Sequence, residues 1–163
     1  MKKIKTLQYA LLLTITVIGL VFITANSASA AGPCTSSNIR WANSSNRVYI
    51  SGDVECTLTD IDTLASQSIP LQLVSSSTPR IWFLGANIIL QNGAKLVIHG
   101  SSIGGDTDEL RLRSNNNANA SSVVTIQADW GTINVDTTKI TSWDENVSGP
   151  DTEYATYKRA YIK

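Results

Sequence analysis

The stretch Gly93-Ala94-Lys95-Leu96-Val97-Ile98-His99-Gly100-Ser101-Ser102-Ile103 returns in altered form as Trp130-Gly131-Thr132-Ile133-Asn134-Val135-Asp136-Thr137-Thr138-Lys139-Ile140. Leu96, Ile98 and Ile103 match Ile133, Val135 and Ile140, each pair 37 positions apart. Self-similarity at a fixed spacing of this size marks a repeat architecture and outranks the reading of single residues. The repeated unit reads as a strand, a polar turn and a second short strand, which predicts a solenoid of stacked strands.

Working outward, the pattern continues on both sides. Leu71-Gln72-Leu73-Val74, Ile81-Trp82-Phe83-Leu84, Asn87-Ile88-Ile89-Leu90 and Lys95-Leu96-Val97-Ile98 form one round of strands. Leu110-Arg111-Leu112-Arg113, Val123-Val124-Thr125-Ile126, Thr132-Ile133-Asn134-Val135 and Lys139-Ile140-Thr141 form the next. Leu71 and Leu73 correspond to Leu110 and Leu112 at an offset of 39. Asn92-Gly93 is a turn dipeptide, because both residues tolerate positive φ. Ser114 to Ser122 is a polar loop. An antiparallel sandwich also has short strands at regular spacing. Very short segments, irregular turns and repetition of a whole multi-strand unit favour a right-handed parallel β-helix.

Ahead of this lies a different region. Arg47-Val48-Tyr49-Ile50 and Val54-Glu55-Cys56-Thr57-Leu58 alternate apolar and polar across Ser51-Gly52-Asp53, which predicts paired strands. Thr59 to Gln67 is the single candidate helix. Cys34 and Cys56 are the chain's two cysteines, and an even pair in an exported chain predicts a disulfide. Residues 32–69 are thus expected to cap the N-terminal end, and residues 70–163 to form the first coils. The chain stops at Arg159-Ala160-Tyr161-Ile162-Lys163, which reads as a further strand. The expectation is an N-terminal piece of something longer.

Residues 1–31 read as an export signal. Lys2, Lys3 and Lys5 precede an uncharged apolar run from Ala10 to Ala25, and Ala28-Ser29-Ala30 is a small-residue cleavage pattern. The run is shorter than the roughly 20 residues of a membrane span, so no stable anchor is expected after cleavage. Loss of those three lysines leaves 10 basic against 13 acidic residues, a net charge of −3. Such a balance argues against a nucleic-acid partner. The expected location is secreted or extracytoplasmic.

The segment Trp130-Gly131-Thr132-Ile133, Lys139-Ile140-Thr141-Ser142-Trp143-Asp144, Gly149-Pro150-Asp151 and Arg159-Ala160-Tyr161-Ile162 resembles secreted β-helix proteins of the pectate-lyase-like superfamily. Within it, the segment is similar to the mannuronan C5-epimerase-like group. The resemblance covers about the last 70 residues and implies a polysaccharide or cell-envelope glycan as partner. In such proteins the catalytic groove is built by coils further along, so no catalytic residue carries over. Two functions follow: the N-terminal part of a uronan epimerase- or lyase-like protein, or a non-catalytic extracellular carbohydrate-binding or structural protein.

Chemistry at a uronic acid needs a cation on the carboxylate, a base and an acid. Arg111 and Arg113 lie on one outward strand face, where guanidinium forks suit a carboxylate. Trp143, like Trp41, Trp82 and Trp130, offers a ring for sugar stacking, as do Tyr154, Tyr157 and Tyr161. His99, the one histidine, reads as a turn residue with Asp136 as its counterpart one repeat later. Asp106, Asp108 and Glu109 beside Gly104-Gly105 are oxygen ligands of the kind Ca²⁺ takes, without an EF-hand spacing; a solvated acidic loop is the competing reading. Asp144, Glu145 and Asp151 form a second acidic loop, with Arg159 as its expected ion-pair partner. No other cofactor is expected. Asn43, Asn119 and Asn146 open Asn-x-Ser sequons in loops.

Overall fold

The computed structural model describes residues 30–114, 123–151 and 159–163. The export-signal reading, Asn119, Tyr154 and Tyr157 lie outside them, apart from Ala30 and Ala31. The described chain is mostly β. Its strands are β1 (Gly32–Pro33), β2 (Ile39–Ala42), β3 (Arg47–Ser51), β4 (Val54–Cys56), β5 (Leu71–Ser75), β6 (Ile81–Leu84) and β7 (Asn87–Gln91). They continue as β8 (Lys95–His99), β9 (Glu109–Ser114), β10 (Thr125–Ala128), β11 (Thr132–Asp136), β12 (Lys139–Asp144), β13 (Gly149–Pro150) and β14 (Tyr161–Ile162). One helix, α1 (Leu58–Leu64), follows β4.

These strands make three sheets, with spatial orders β1-β4-β8-β11, β2-β3-β7-β10-β14 and β5-β6-β9-β12-β13. From β3 to β12 the chain visits them in rotation. β3, β7 and β10 fall in one sheet, β4, β8 and β11 in the next, and β6, β9 and β12 in the third. Every pairing between successive rounds is parallel. Antiparallel strands stand only at the margins, where β2 pairs β3, β5 pairs β6 and β13 pairs β12. Apart from these marginal hairpins, successive strands do not pair with each other across the corners. A chain with one apolar residue in two then sends all its inward side chains to a shared interior.

The interior is built of aliphatic stacks. Val48, Ile88 and Ile126 align in one sheet, with Ile50 and Leu90 beside them. Cys56, Leu96 and Ile133 align in the second, and Leu84 with Leu112 in the third. Val48, Ile50, Leu84, Ile88, Leu90, Leu96 and Ile126 have no exposed surface. Each side chain so buried stabilises the fold by about 1.5–3 kcal/mol. α1 adds Leu58 and Ile61 to the same core. Its start is fixed by a capping box, in which Thr57 Oγ1 accepts from the Asp60 amide at 3.1 Å and Asp60 Oδ2 accepts from the Thr57 amide at 2.8 Å. Cys34 and Cys56 are joined, tying the N-terminal segment to β4.

Register confirms part of the repeat and corrects the rest. Leu96 stands beside Ile133 and Ile98 beside Val135, at the expected 37. Ile140 instead stands beside Leu110, an offset of 30, while Ile103 lies in an exposed 3₁₀ turn. Nine residues separate β8 from β9 but only two separate β11 from β12, so the first corner carries an excursion of seven extra residues. Leu71 and Leu73 are not counterparts of Leu110 and Leu112. Their strand is an antiparallel margin, and Trp82 and Leu84 occupy those register positions. β3 and β4 are not paired with each other either. Ser51-Gly52-Asp53 turns the chain from one sheet into the next, and both strands pair in parallel with the following round. That pairing begins ahead of residue 70. The helix is shorter than Thr59–Gln67 and takes in Leu58. Asn92 and Gly93 do take positive φ, 54° and 88°.

Candidate functional site

Strands in parallel register place outward side chains in rows, since each outward position recurs one strand over. On the sheet containing β3, β7, β10 and β14 this produces three rows. Arg47 stands beside Asn87, and Thr125 beside Tyr161; Asn87 Oδ1 joins the two pairs by accepting from the Thr125 amide at 2.9 Å and its hydroxyl at 3.0 Å. Arg40, Tyr49, Ile89 and Gln127 form the second row. Ser51 and Gln91 begin the third, and the Asp129 amide donates to Leu90 O at 2.8 Å, which sets Asp129 next in line. Apart from Arg40 and Ser51, the residues of these rows line, together with Lys163, an open groove of about 690 Å³ across the strands.

Hydrogen-bonding capacity in this groove is unspent. Among the described residues, the side chains of Gln91, Gln127 and Asp129 have no hydrogen-bond or ion-pair partner. The groove's first end is cationic. The Arg40 guanidinium stacks 4.1 Å over the Tyr49 ring. Arg47 beside the Tyr49 phenol, with Arg40 adding to it, holds that phenol below its ordinary ionisation range. Guanidinium charge favours the phenolate.

The residues singled out from sequence lie elsewhere. Arg111, Arg113 and Trp143 are on the outer face of the third sheet, not on the groove. Arg111 Cζ sits 3.8 Å from the Trp143 ring, and its Nε lies 3.1 Å from Glu109. Arg113 holds Glu145 through Nε at 2.5 Å and Nη2 at 3.3 Å, and donates from Nη1 to Gly85 O at 3.2 Å. A Cβ on Gly85 would meet that guanidinium within 3 Å and would have to push it aside. Both forks are engaged within the protein. Glu145 of the second acidic loop pairs with Arg113.

The first acidic cluster also dissolves into separate tasks. Asp106 Oδ2 accepts from the Thr59 amide at 3.0 Å and hydroxyl at 2.6 Å, joining the excursion to α1. Asp108 accepts from the Arg80 amide at 2.6 Å and from Ser101 at 2.7 and 2.8 Å. The Arg80 bond, then those from Ser101, lower its pKa below 3.8. Glu109 faces Arg111 and Lys139. Among the described residues no three His, Cys, Asp or Glu side chains come together as metal ligands do.

Trp82 is buried and donates from Nε1 to Asp106 O at 3.0 Å. Trp130 is 88% exposed. His99 stands beside Asp136, as the repeat predicts. Of the described residues singled out from sequence as candidate site residues, Tyr161 alone lines the groove. Arg47, Tyr49, Gln91, Gln127, Asp129 and Lys163 went unrecognised. Their signal was the outward half of each strand, which becomes a site only when the register is known.

Fold and groove together define a mostly-β protein of stacked parallel strands with a polar trough across one sheet. No protein-family model matches the chain, and no curated protein matches it. Among solved structures it is similar to a crystal structure of the periplasmic alginate epimerase AlgG, in a point-mutant form. The TM-score is 0.49 at 17% identity over 71% of this chain. This chain spans 24% of that protein's length.

Proposed function

We propose that this is an exported right-handed β-helix protein that holds a polysaccharide along the groove, as the N-terminal part of a uronan epimerase- or lyase-like protein. The observation that carries this reading is the set of three rows. Neighbouring strands lie about 4.8 Å apart, close to the length of one sugar residue in an extended chain. Each round of the coil can therefore meet one sugar, with amide, hydroxyl and aromatic side chains of the kind that recognise sugar hydroxyls and ring faces. The disulfide fits an oxidising compartment outside the cytoplasm. The resemblance of the Trp130–Ile162 segment to the mannuronan C5-epimerase-like group supports the substrate class. No residue of this chain is assigned to catalysis.

Titration of the full chain with soluble polysaccharides tests the reading. Saturable binding is expected, weakened about tenfold when Gln91 and Gln127 are both changed to alanine, since two hydrogen bonds are removed. Binding that survives this double change undiminished moves the site elsewhere. The same groove serves a non-catalytic binding protein. Incubation with alginate or pectin is expected to yield neither an unsaturated uronate nor an epimerised product; either product assigns catalysis to this chain itself.

A further inference from the structure

Of the four tryptophans, three are used within the fold. Trp82 is buried and donates to Asp106 O, Trp143 carries the Arg111 guanidinium on its ring, and Trp41 packs against the core. Trp130 is 88% exposed, and its indole has no hydrogen bond or ring contact among the described residues. A single exposed aromatic needs no explanation by itself. The backbone beneath this one does.

Trp130 stands at the corner between β10 and β11, where the strand register carried one step further sets it beside Asn92 and Gly52 of the preceding rounds. All three take positive φ, 106° at Gly52, 54° at Asn92 and 67° at Trp130. Glycine and asparagine suit this conformation, and a bulky side chain is out of place in it. The chain cannot relax away from it, because it is tied on both sides. The Asp129 amide donates to Leu90 O at 2.8 Å, the Gly93 amide to Trp130 O at 2.7 Å and the Thr132 amide to Ala94 O at 2.9 Å. Gly131 runs so close to the preceding round that a Cβ there would meet Leu90 Cβ at 2.5 Å. Local preference is thus overridden at one residue, and the result is a large ring held in water. Such conflicts gather at functional positions. The position also fits: Asp129, directly before Trp130, lines the groove.

We propose that Trp130 is a stacking platform at the margin of the groove, receiving the C–H face of a uronan residue on its indole. The proposal rests on the reading of the groove as a glycan site. The electron-rich face of an indole attracts the polarised C–H bonds of a sugar ring, and a tied corner presents that face with little ordering left to do on binding. Asp129 beside it offers acceptor oxygens to hydroxyls of the same sugar.

The test measures affinity and stability together on the full chain, with hexamers of mannuronate and of galacturonate as ligands. Trp130→Asn gives the corner the residue type that Asn92 supplies one round earlier. It is expected to bind either uronate hexamer about tenfold more weakly, and to melt no lower than the unmodified chain because the strain is relieved. Trp130→Phe keeps an aromatic face and is expected to retain most of the affinity. Undiminished binding by Trp130→Asn, where the Gln91 and Gln127 double change still weakens it, overturns the platform and leaves the groove a glycan site. A lower melting temperature for Trp130→Asn also overturns it, since the ring then serves the fold. Binding of neither hexamer by the unmodified chain overturns both readings.

Discussion

Asp108 shows how one side chain can set a local conformation. Its carboxylate gathers the Arg80 amide and both donors of Ser101, and these bonds are to the ionised form. The folded group therefore releases its proton at lower pH than the unfolded chain's carboxyl. Its contribution is complete above the ordinary value of 3.8 and is lost as pH falls through the depressed folded value. Protection of the Ser101 and Arg80 amides, taken relative to their intrinsic exchange rate at each pH, is expected to fall as acid protonates Asp108. Asp108→Asn is expected to lower it at neutral pH. Protection indifferent to both changes would show that the pin does not hold the excursion. From sequence the same aspartate suggested a Ca²⁺ ligand, because a cluster of carboxylates in a chain looks alike whether it faces a cation or backbone amides. Arg111 and Arg113 are a parallel case. The alternation with Leu110 and Leu112 correctly placed them outward, but the partners that occupy them, Glu109 and Glu145, depend on register.

At the level of elements, α1 is short, and a helix of seven residues does not hold itself in water. Its capping box and the burial of Leu58 and Ile61 supply what its length does not. Thr57→Ala removes the side-chain acceptor for the Asp60 amide and is expected to cost about 1 kcal/mol, read as a fall in denaturant midpoint with unchanged slope. An unchanged midpoint would mean that packing alone holds the helix. The helix was legible from Ile61 and Leu64, whereas its first residue was not. Leu58 belongs equally well to an alternating strand pattern, and the corner that ends β4 decides between them. The strands themselves were largely legible, since most have one or two inward apolar residues between polar ones. Their partners were less so. β5 carries the same Leu-x-Leu pattern as β9, yet pairs antiparallel at the margin, because the Ser75–Arg80 turn folds it straight back onto β6.

Across the whole molecule, the parallel stack was legible from the Leu96–Ile98 and Ile133–Val135 match, and the groove was not. Row formation on the outer face needs the offsets between strands, and these differ: 40 from Arg47 to Asn87, 38 from Ile88 to Ile126 and 36 from Thr125 to Tyr161. No fixed period would bring Arg47, Asn87, Thr125 and Tyr161 together. The Cys34–Cys56 bond closes a loop with a sequence separation of 22, for which the chain-entropy estimate is about 3 kcal/mol. Cys34→Ser with Cys56→Ser is expected to lower the melting temperature, and reductant to do the same to the unmodified chain. Identical melting with and without reductant would show that the core holds the N-terminal segment unaided.

The seven-residue excursion after β8 leaves the strands on either side of it in register with the rounds before and after. In this architecture, chain length and stacking pitch are independent variables. A corner can acquire or shed sequence without moving a single inward side chain, provided its ends are tied down, as Asp106 and Asp108 tie this one. Each such corner is then a port at which new surface can be grown, so variants of this scaffold can add to a corner while leaving the groove's floor untouched.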